Sequence, residues 1–438
     1  MIKKEFLCRR LALLEKMESS SIILIFSAPV AIRNNDNPYP YRQNSDFWYL
    51  TGFNEPEAMF GLIKDSDNCC KSLLFNRSHN RKAQIWGQNY IGQESARIKL
   101  AVDYAFPWEQ IDNHLHLFLD GLKIIYHVEK QYYFSDRIIF TALEKLRINQ
   151  KKTLSVPQIL LDWRPLVHEL RLIKSSSEIT LLRQSGLISA LGHMRALKKL
   201  FHGIHEYQIE GEIQYEFNHH GARWSAYNTI IASGENSCIL HYTDNNKIIK
   251  NGQLVLIDAG CEFQGYASDI SRTFPVNGKF NIPQRFIYTT VLNAFNLALK
   301  LYQPGTNIYT VTKKIIAFLV HKLVQLKIMQ GDVQKLIKDK AIEQFFMHKL
   351  SHWIGLDVHD SYYYSQDDKR ILEPGMVLTI EPGLYITTDS KVPSEYRGIG
   401  VRIEDTILIT KNGNENLTSI AIKKINEIES FMVNRKSL

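Results

Sequence analysis

The sequence is poor in cysteine and lacks both a long apolar run and a block of like charge. Its 438 residues include five cysteines, an odd number whose spacing matches no metal or redox motif. A disulfide scaffold is therefore excluded, and a reduced, cytoplasmic chain is expected. The longest apolar runs, such as Ile22–Phe26 and Leu254–Ile257, fall far short of the roughly 20 residues of a membrane-spanning helix. The first residues also lack the apolar core and cleavage site of a secretory signal.

The charge of the chain is mildly basic and evenly distributed. The sequence contains 53 lysines and arginines against 45 aspartates and glutamates, without a run of five or six like charges. Nucleic acid and membranes are therefore not expected as partners. Hydrophobic residues form 45% and charged residues 22% of the chain, proportions that are typical of globular proteins, and the length suggests two or three domains.

The first part of the chain mixes strand-like and helix-like segments. Strands are expected at Ser21–Phe26, Ser72–Phe75 and Lys123–His127, and helices at Phe6–Met17 and Phe140–Leu146. Such alternation of strands and helices predicts an α/β layer structure.

Near residue 172 the sequence pattern changes from short alternating strand-like and helix-like segments to a long helical segment. Ser175 and Glu178 have the spacing of a capping box, which opens a long amphipathic helix through Leu200, and Pro165–Lys174 is predicted to be the linker before it. We therefore divide the chain into domains at 1–172 and 173–438. The expected helices of the second domain are 176–200, 206–220, 283–302 and 307–328, and its expected strands are 227–232, 253–260, 265–274, 376–381 and 399–410.

The segment from Leu254 to Phe274 predicts a strand, a turn and a second strand. A hairpin centred between Phe263 and Gln264 would place Asp258 directly opposite Asp269, with Cβ atoms about 4.5–5.5 Å apart. Two carboxylates at that distance among apolar residues repel each other unless a cation compensates them, and a divalent metal is the natural compensator. The alternative is one aspartate that caps the turn and one that is solvated, and this segment alone does not decide between the two.

Three histidines, His348, His352 and His359, follow within twelve residues beside an apolar run. A single histidine is more often an ordinary core or surface residue. Three of them at spacings of four and seven residues favour a functional cluster, because neutral imidazole is both a common metal ligand and a proton carrier.

Two glutamates occupy apolar, strand-like segments. Glu381 follows an apolar run and precedes a Pro-Gly turn, and Glu404 lies within the strand expected over 399–410. Charged side chains are rarely buried without a partner. Arg402 and Glu404 share a face by the period of two, so an ordinary surface ion pair between them is the alternative.

Together these segments supply two aspartates, one histidine and two glutamates. Such a set can hold two metal ions roughly 3.5–4 Å apart. Oxygen-rich ligands with a single imidazole favour Mn²⁺ or a similarly hard divalent ion. Cys261 lies near Asp258, but no second cysteine accompanies it, and we expect it to pack in the core.

At these residues the chain resembles the pita-bread metallopeptidase family, in the branch of the bacterial aminopeptidases P. The resemblance runs from end to end. Segments 39–53, 239–243 and 396–400 are typical of that branch, whereas the metal motif is shared with prolidase and methionine aminopeptidase. The resemblance implies an α/β N-terminal domain over 1–172. It implies an α+β pita-bread catalytic domain, like that of creatinase and methionine aminopeptidase, over 173–438.

The resemblance also implies an activity. The expected reaction is hydrolysis of the peptide bond between any N-terminal residue and a following proline, through a hydroxide held between two divalent metals. The implied cofactors are two Mn²⁺ ions or other divalent metals, with Asp269 and Glu404 shared between the ions. The implied metal ligands are Asp258, Asp269, His352, Glu381 and Glu404. The implied catalytic residues are His241, His348, His359, Glu381 and Arg402, and the implied supporting residues are Tyr227, Tyr385 and Trp86.

The family further implies a homotetramer or homodimer, in which Trp86 reaches a neighbouring subunit's site; an ordinary core tryptophan is the alternative. Two positions depart from the family pattern. Lys349 stands where a glycine is usual, and Ser361–Ser365 replaces a glycine-containing turn. Neither change removes a ligand, so both bear on substrate preference more than on the chemistry.

Several other activities share parts of this pattern. A prolidase would share the metal site but cut only Xaa-Pro dipeptides, and a methionine aminopeptidase would not need the N-terminal domain. A non-catalytic binding protein or a metal-free amidinohydrolase like creatinase would have lost metal ligands, and all five are present here.

Overall fold

The structure is a computed structural model that describes residues 3–80, 85, 90–148, 154–361 and 368–434. The chain divides into two compact units, Met1–Leu170 and Arg171–Leu438. Among the described residues, no helix combines the length and the apolar character that a membrane span requires.

The first unit is built on a mixed β-sheet. The strands of this unit are β1 Ser21–Phe26, β2 Ile32–Asn34, β3 Asn37–Pro38, β4 Met59–Lys64, β5 Cys70–Asn76, β6 Tyr104–Pro107, β7 Ile124–Tyr126 and β8 Ile159–Leu161. Six of them form the sheet, in the order β6-β5-β4-β1-β7-β8. The central strand β1 is buried along its whole length and pairs antiparallel to β4 and parallel to β7. A strand buried on both faces is typically a nearly continuous apolar run, as this one is from Ile22 to Phe26.

Helices alternate with these strands, which confirms the predicted α/β class. The helices are α1 Lys3–Lys16, α2 Ser45–Thr51, α3 Gly92–Leu100, α4 Ile111–Leu119, α5 Tyr133–Ile148 and α6 Arg164–Leu172. Capping fixes the short helix α2, since Asn44 accepts a hydrogen bond from the amide of Phe47 at its start and Gly52 adopts the left-handed conformation, φ 64°, at its end.

The second unit contains small antiparallel sheets, in keeping with the pita-bread class. The strands are β9 Trp224–Ser225, β10 Ile230–Ser233, β11 Leu254–Asp258, β12 Cys261–Phe263, β13 Tyr266–Ala267, β14 Ser271–Pro275, β15 Val377–Ile380, β16 Gly383–Ile386, β17 Ile399–Arg402, β18 Asp405–Thr410 and β19 Gly413–Asn416. The three larger sheets have the strand orders β10-β11-β14, β13-β12-β9 and β15-β18-β19, and β16 pairs with β17.

The helices of this unit are amphipathic and cover the sheets. They are α7 Ser176–Lys199, α8 Glu206–His219, α9 Ile282–Leu301, α10 Ile308–Gln325, α11 Val333–Lys338 and α12 Ile425–Asn434. The predicted capping box opens α7, because Ser175 and Glu178 bond reciprocally. The apolar faces of α8, α9 and α10 join the strands in one core.

Three details of the expected organisation differ from the structure. The single strand expected over 265–274 is two strands of different sheets, β13 and β14. The segment predicted as a linker, Pro165–Lys174, contains the boundary between the two units but is mostly helix, because α6 runs through Leu172. The single strand expected over 399–410 is two strands, β17 and β18, separated at Ile403 and Glu404. At that point the amide of Glu404 donates a hydrogen bond to the carbonyl oxygen of Ser271, so the backbone turns to a different strand.

Candidate metal centre and active site

The residues singled out in the second half of the sequence meet at one cavity of about 690 Å³. Residues that are more than 170 positions apart in the chain face the same space. The predicted residues that line this cavity are Tyr227, His241, Asp258, Asp269, His348, His352, His359, Glu381, Arg402 and Glu404. Tyr385 is fully buried and contacts two of them, His348 and Arg402.

The hairpin that carries the two aspartates has a different register from the predicted one. Its turn is Gln264-Gly265, with φ of 51° and 89°, so Phe263 pairs with Tyr266 and Asp258 pairs with Ser271. Positive φ at both turn residues is typical of tight hairpins and shifts the register by two residues. Asp269 is therefore a diagonal neighbour of Asp258 and not its direct partner.

The diagonal arrangement still brings the two carboxylates together on one face. The hydroxyl of Tyr227 contacts Asp258 Oδ1 at 2.7 Å and Asp269 Oδ1 at 2.5 Å. Both aspartates are buried, at 9% and 5% exposure, so neither is the solvated turn residue of the alternative interpretation. Tyr227 thus ties together the two ends of the hairpin that point into the cavity.

His352 reaches the same place because its segment pairs with β15. The amide of Thr379 donates to the carbonyl of His352, and the amide of Glu381 donates to the carbonyl of Leu350. The imidazole Nε2 of His352 consequently lies 3.3 Å from Asp269 Oδ2 and 3.5 Å from Glu381 Oε1. The ligand atoms of Asp269, His352 and Glu404 all lie within 4.8 Å of one another, a spacing that could hold a metal ion.

Glu404 provides the clearest sign of a cation site. Its side chain is 2% exposed, Oε2 accepts a hydrogen bond from Ser271, and Oε1 is buried without a hydrogen-bond partner in the described part of the chain. A buried carboxylate oxygen that lacks a donor is costly unless a cation contacts it. The imidazole Nε2 of His352 is 4.0 Å away, too far for a hydrogen bond.

The electrostatics of the carboxylate cluster support the same conclusion. Burial raises the pKa of Glu404 well above its usual range, and the charges of Asp269 and Glu381 raise it further. Burial also raises the pKa of Asp269, and it raises the pKa of Glu381 to about 7. Such a cluster binds protons at neutral pH unless cations compensate it, so these residues fit divalent metal ions.

A hydrogen-bonded chain of side chains lies behind the cluster. The guanidinium of Arg402 donates to Asp258 Oδ2 at 2.5 Å, to the hydroxyl of Tyr385 at 2.8 Å and to Ser271 Oγ at 2.8 Å. The Tyr385 hydroxyl lies 2.8 Å from Nε2 of His348. Arg402 is itself buried and pairs with Asp258, so the surface ion pair with Glu404 considered from the sequence is wrong.

The three histidines of the predicted cluster have different environments. Nδ1 of His348 lies 2.8 Å from the Lys349 carbonyl, and burial with the charge of Arg402 lowers the pKa of His348 to about 4. The exposed ring of His359 packs edge-on to His352, with centroids 4.5 Å apart. Partial burial and the neighbouring His352 lower the pKa of His359 to about 4. For His352, burial is outweighed by Asp269 and Glu381, which raise its pKa to about 9.

Sequence reasoning missed Ser271 and the anchor of the His359 segment. Ser271 joins Arg402 to Glu404, and its signal is the spacing of two residues from Asp269, which puts both on one face. Asp360, next to His359, is bound by Arg171 and Lys174, a pairing across about 190 residues that leaves no pattern in the sequence. Trp86 and the Tyr362–Tyr364 segment lie outside the described residues.

The sequence profile of metallopeptidase family M24 matches residues 180–411, more than half of the chain. The chain belongs to metallopeptidase family M24. The M24 region follows a match of residues 6–126 to the N-terminal domain of aminopeptidase P. The cavity lies within the M24 region, and its residues all come from that part of the chain.

Individual M24 relatives cover the whole chain. Xaa-Pro aminopeptidase of Escherichia coli is 54% identical over 98% of both chains. The solved structure of proline aminopeptidase P II from Yersinia pestis is 55% identical, covers 99% of this chain and 100% of its own, and superposes with a TM-score of 0.97. A zinc-substituted Escherichia coli aminopeptidase P in complex with product is 54% identical over 99% of both chains, with a TM-score of 0.97.

Proposed function

We propose that the protein is a metal-dependent aminopeptidase that removes the first residue from peptides with proline in second position. The observation that carries the proposal is the buried carboxylate cluster in the cavity, in which Glu404 Oε1 has no donor among the described residues. The specificity rests on the likeness to Xaa-Pro aminopeptidases over the full length of the chain.

Five side chains would hold two divalent ions: Asp258, Asp269, His352, Glu381 and Glu404. We propose Asp269 and Glu404 as the shared ligands, as the resemblance implies, and a carboxylate oxygen of each lies with a His352 nitrogen in one group of atoms within 4.8 Å of one another. Four carboxylates and one imidazole favour Mn²⁺, although the same donors accept Zn²⁺. Bound ions would polarise the substrate carbonyl and lower the pKa of water, which supplies the nucleophile for hydrolysis.

The chain's own side chains would do the remaining work. His359 is neutral near pH 7 and exposed in the cavity, so its N–H can donate to the carbonyl oxygen of the first residue as negative charge develops there. We assign His241 the same side of the cavity. Glu381, a proposed ligand beside the nucleophilic water, would accept the proton that this water releases and pass it to the departing proline nitrogen.

Supporting residues would keep this arrangement fixed. Arg402 and Tyr385 orient Asp258 and His348, and Tyr227 holds the two aspartates. The scissile bond before proline is a tertiary amide without an N–H. The apolar side chains of Ile230, Leu240 and Val358 line the cavity and offer a surface for the proline ring.

The domain bounds, the oligomeric state and the location in the cell are proposed from the resemblance. We assign residues 1–172 and 173–438 as the two domains, and we expect a homodimer or homotetramer, as the resemblance implies. The cysteines of the chain are free, which fits a reducing cytoplasm.

The test is a peptide panel followed by mass spectrometry, with Mn²⁺-loaded protein and with a chelator. The panel contains Xaa-Pro-Yaa tripeptides, Xaa-Pro dipeptides and Met-Ala-Yaa peptides. Chelator-sensitive release of the first residue from the tripeptide is expected. Cleavage of the dipeptide alone would indicate a prolidase, and cleavage of Met-Ala-Yaa alone would indicate a methionine aminopeptidase.

A further inference from the structure

The loop that carries His241 is exposed but fixed at two buried points. Within residues 239–247, which we call the His241 loop, His241 and Thr243 face the cavity, whereas Tyr242 and Asn245 are buried at 7% and 2% exposure. In such a loop, the position of an exposed side chain depends on how firmly the neighbouring buried side chains are bound. The partners of Tyr242 and Asn245 therefore decide where His241 lies.

Both buried side chains are bound by glutamates of one helix, α8. The hydroxyl of Tyr242 donates to Glu206 Oε2 at 2.7 Å, and the amide group of Asn245 donates to Glu210 Oε2 at 2.9 Å. The two glutamates are four residues apart and so lie on one face of the helix, one turn from each other. The first turn of α8 thus faces the His241 loop.

Glu206 is an unusual carboxylate. It is fully buried, and within the described part of the chain all of its hydrogen bonds come from neutral donors. Oε1 accepts from the amide and hydroxyl of Ser233 and from the side chain of Asn236. Oε2 accepts from Tyr242 and from the amide of Lys247. Five donors and a place in the first turn of α8, where the helix dipole favours an acidic side chain, hold this carboxyl group in one position.

The donors of Glu206 come from the two segments that frame His241. Lys247 is the end of the His241 loop, and Ser233 is the end of strand β10, whose Ile230 lines the cavity. Asn245 strengthens the link, because it accepts from the amide of Ile231 and donates to the carbonyl of Thr229. The loop and the strand are thereby locked together on α8.

We infer that Glu206 is a positioning residue which, through Tyr242, holds His241 in the orientation that contacts substrate. The inference rests on the proposed function, since it gives His241 a substrate contact. Glu206 does not line the cavity itself and acts on the reaction only through the loop.

Two substitutions test the inference. Tyr242→Phe removes the one hydroxyl that joins the loop to Glu206, and Glu206→Gln turns an amide N–H towards donors that need an acceptor. Misplacing a side chain by about 1 Å can cost up to about 100-fold in rate, so we expect kcat/KM for an Xaa-Pro-Yaa tripeptide to fall by about tenfold or more. Metal content should remain that of the unmodified protein.

The control is Tyr288→Phe, which removes a hydroxyl from another buried tyrosine. Tyr288 donates to the carbonyl of Lys423 at 2.7 Å, and it lies on α9, outside the His241 loop. It should leave kcat/KM within about twofold while costing similar stability, about 1 kcal/mol for a neutral hydrogen bond.

A double-mutant cycle with His241→Ala separates positioning from general damage. In the His241→Ala background, Tyr242→Phe should lower kcat/KM by less than about twofold, because the residue that it positions is absent. The same loss of about tenfold in both backgrounds would overturn the inference.

A second readout does not depend on turnover. In histidine-labelled protein the imidazole resonance of His241, assigned from His241→Ala, should shift or broaden in Tyr242→Phe and stay unchanged in Tyr288→Phe. An unchanged His241 resonance in Tyr242→Phe would refute the positioning role. Absence of tripeptide cleavage by the unmodified protein would instead refute the proposed function, and the resonance would still report on the loop.

Discussion

Removal of the Asp360 carboxylate should destabilise the second unit far more than removal of its neighbour Asp357. Asp360 is 1% exposed and is bound by Arg171 and by Lys174, whose Nζ lies 2.9 Å from Oδ2. Both cations are buried as well, at 3% and 1%. Asp360→Asn leaves the buried Lys174 without its carboxylate and leaves Arg171 with the half-exposed Asp357, and breaking a buried pair in this way typically costs about 3–5 kcal/mol.

Asp357→Asn is the matched control, because Asp357 binds the same Arg171 nitrogen at 2.7 Å but is 44% exposed. Exposed pairs contribute about 0–1 kcal/mol. For a unit of this size, about 1 kcal/mol corresponds to about 2–4 °C in melting temperature. We therefore expect Asp360→Asn to melt about 6–20 °C lower and Asp357→Asn to melt within about 4 °C of the unmodified protein, as measured by circular dichroism.

The difference in stability between the unmodified protein and Asp360→Asn should decrease as the pH falls. Burial alone would raise the pKa of Asp360, but Arg171 and Lys174 hold it well below its usual range. A depressed pKa contributes stability above the unfolded value of about 3.9, and this contribution is lost as the pH falls towards the folded value. The difference in melting temperature between the unmodified protein and Asp360→Asn should therefore become smaller below about pH 4. Equal melting temperatures of the two asparagine variants at pH 7 would show that the buried Asp360 carboxylate stabilises the fold no more than Asp357 does.

The remaining predictions concern the metal cluster and the backbone around it. Asp269→Ala should lose metal, measured by elemental analysis, along with turnover; near-normal activity would contradict its assignment as a shared ligand. His359→Ala should keep its metal while turnover falls by about 100-fold, the effect of removing one donor to a developing oxyanion, and a metal-free variant would show that His359 is a ligand. Gly260→Ala should unfold the hairpin, because its Cβ would overlap the carbonyl oxygen of Ser268; a melting temperature equal to that of the unmodified protein would contradict this. Gly211→Ala on the open face of α8 should instead stabilise the protein by about 0.5–1 kcal/mol, and a loss of stability there would argue against the helix.

Local patterns in the sequence were sufficient for many elements of the fold. The continuous apolar run of β1 and the capping box of α7 depend on neighbouring residues alone, and both lie where they were predicted. The helix α6 within the predicted linker was missed, although its proline lies in the first turn, where proline is tolerated, and its side chains Val167 and Leu172 are buried.

The candidate site was predictable to the extent that its residues are chemically unusual. Carboxylates in apolar strands, such as Glu404, and a cluster of histidines stand out in any sequence. The hairpin register was missed because it depends on the conformation of Gln264 and Gly265. Contacts such as that of Glu206 with Tyr242 join segments through the folded backbone and leave no periodic pattern.

Metal content and tripeptide turnover, followed in the same samples, show directly whether hydrolysis requires two bound ions. Metal-free protein is titrated with Mn²⁺, and Glu404→Ala is titrated in parallel. The requirement for two ions predicts that full turnover appears only as two ions bind per chain, and that Glu404→Ala neither retains two ions nor cleaves the tripeptide. Full turnover by protein shown to hold no metal would contradict it.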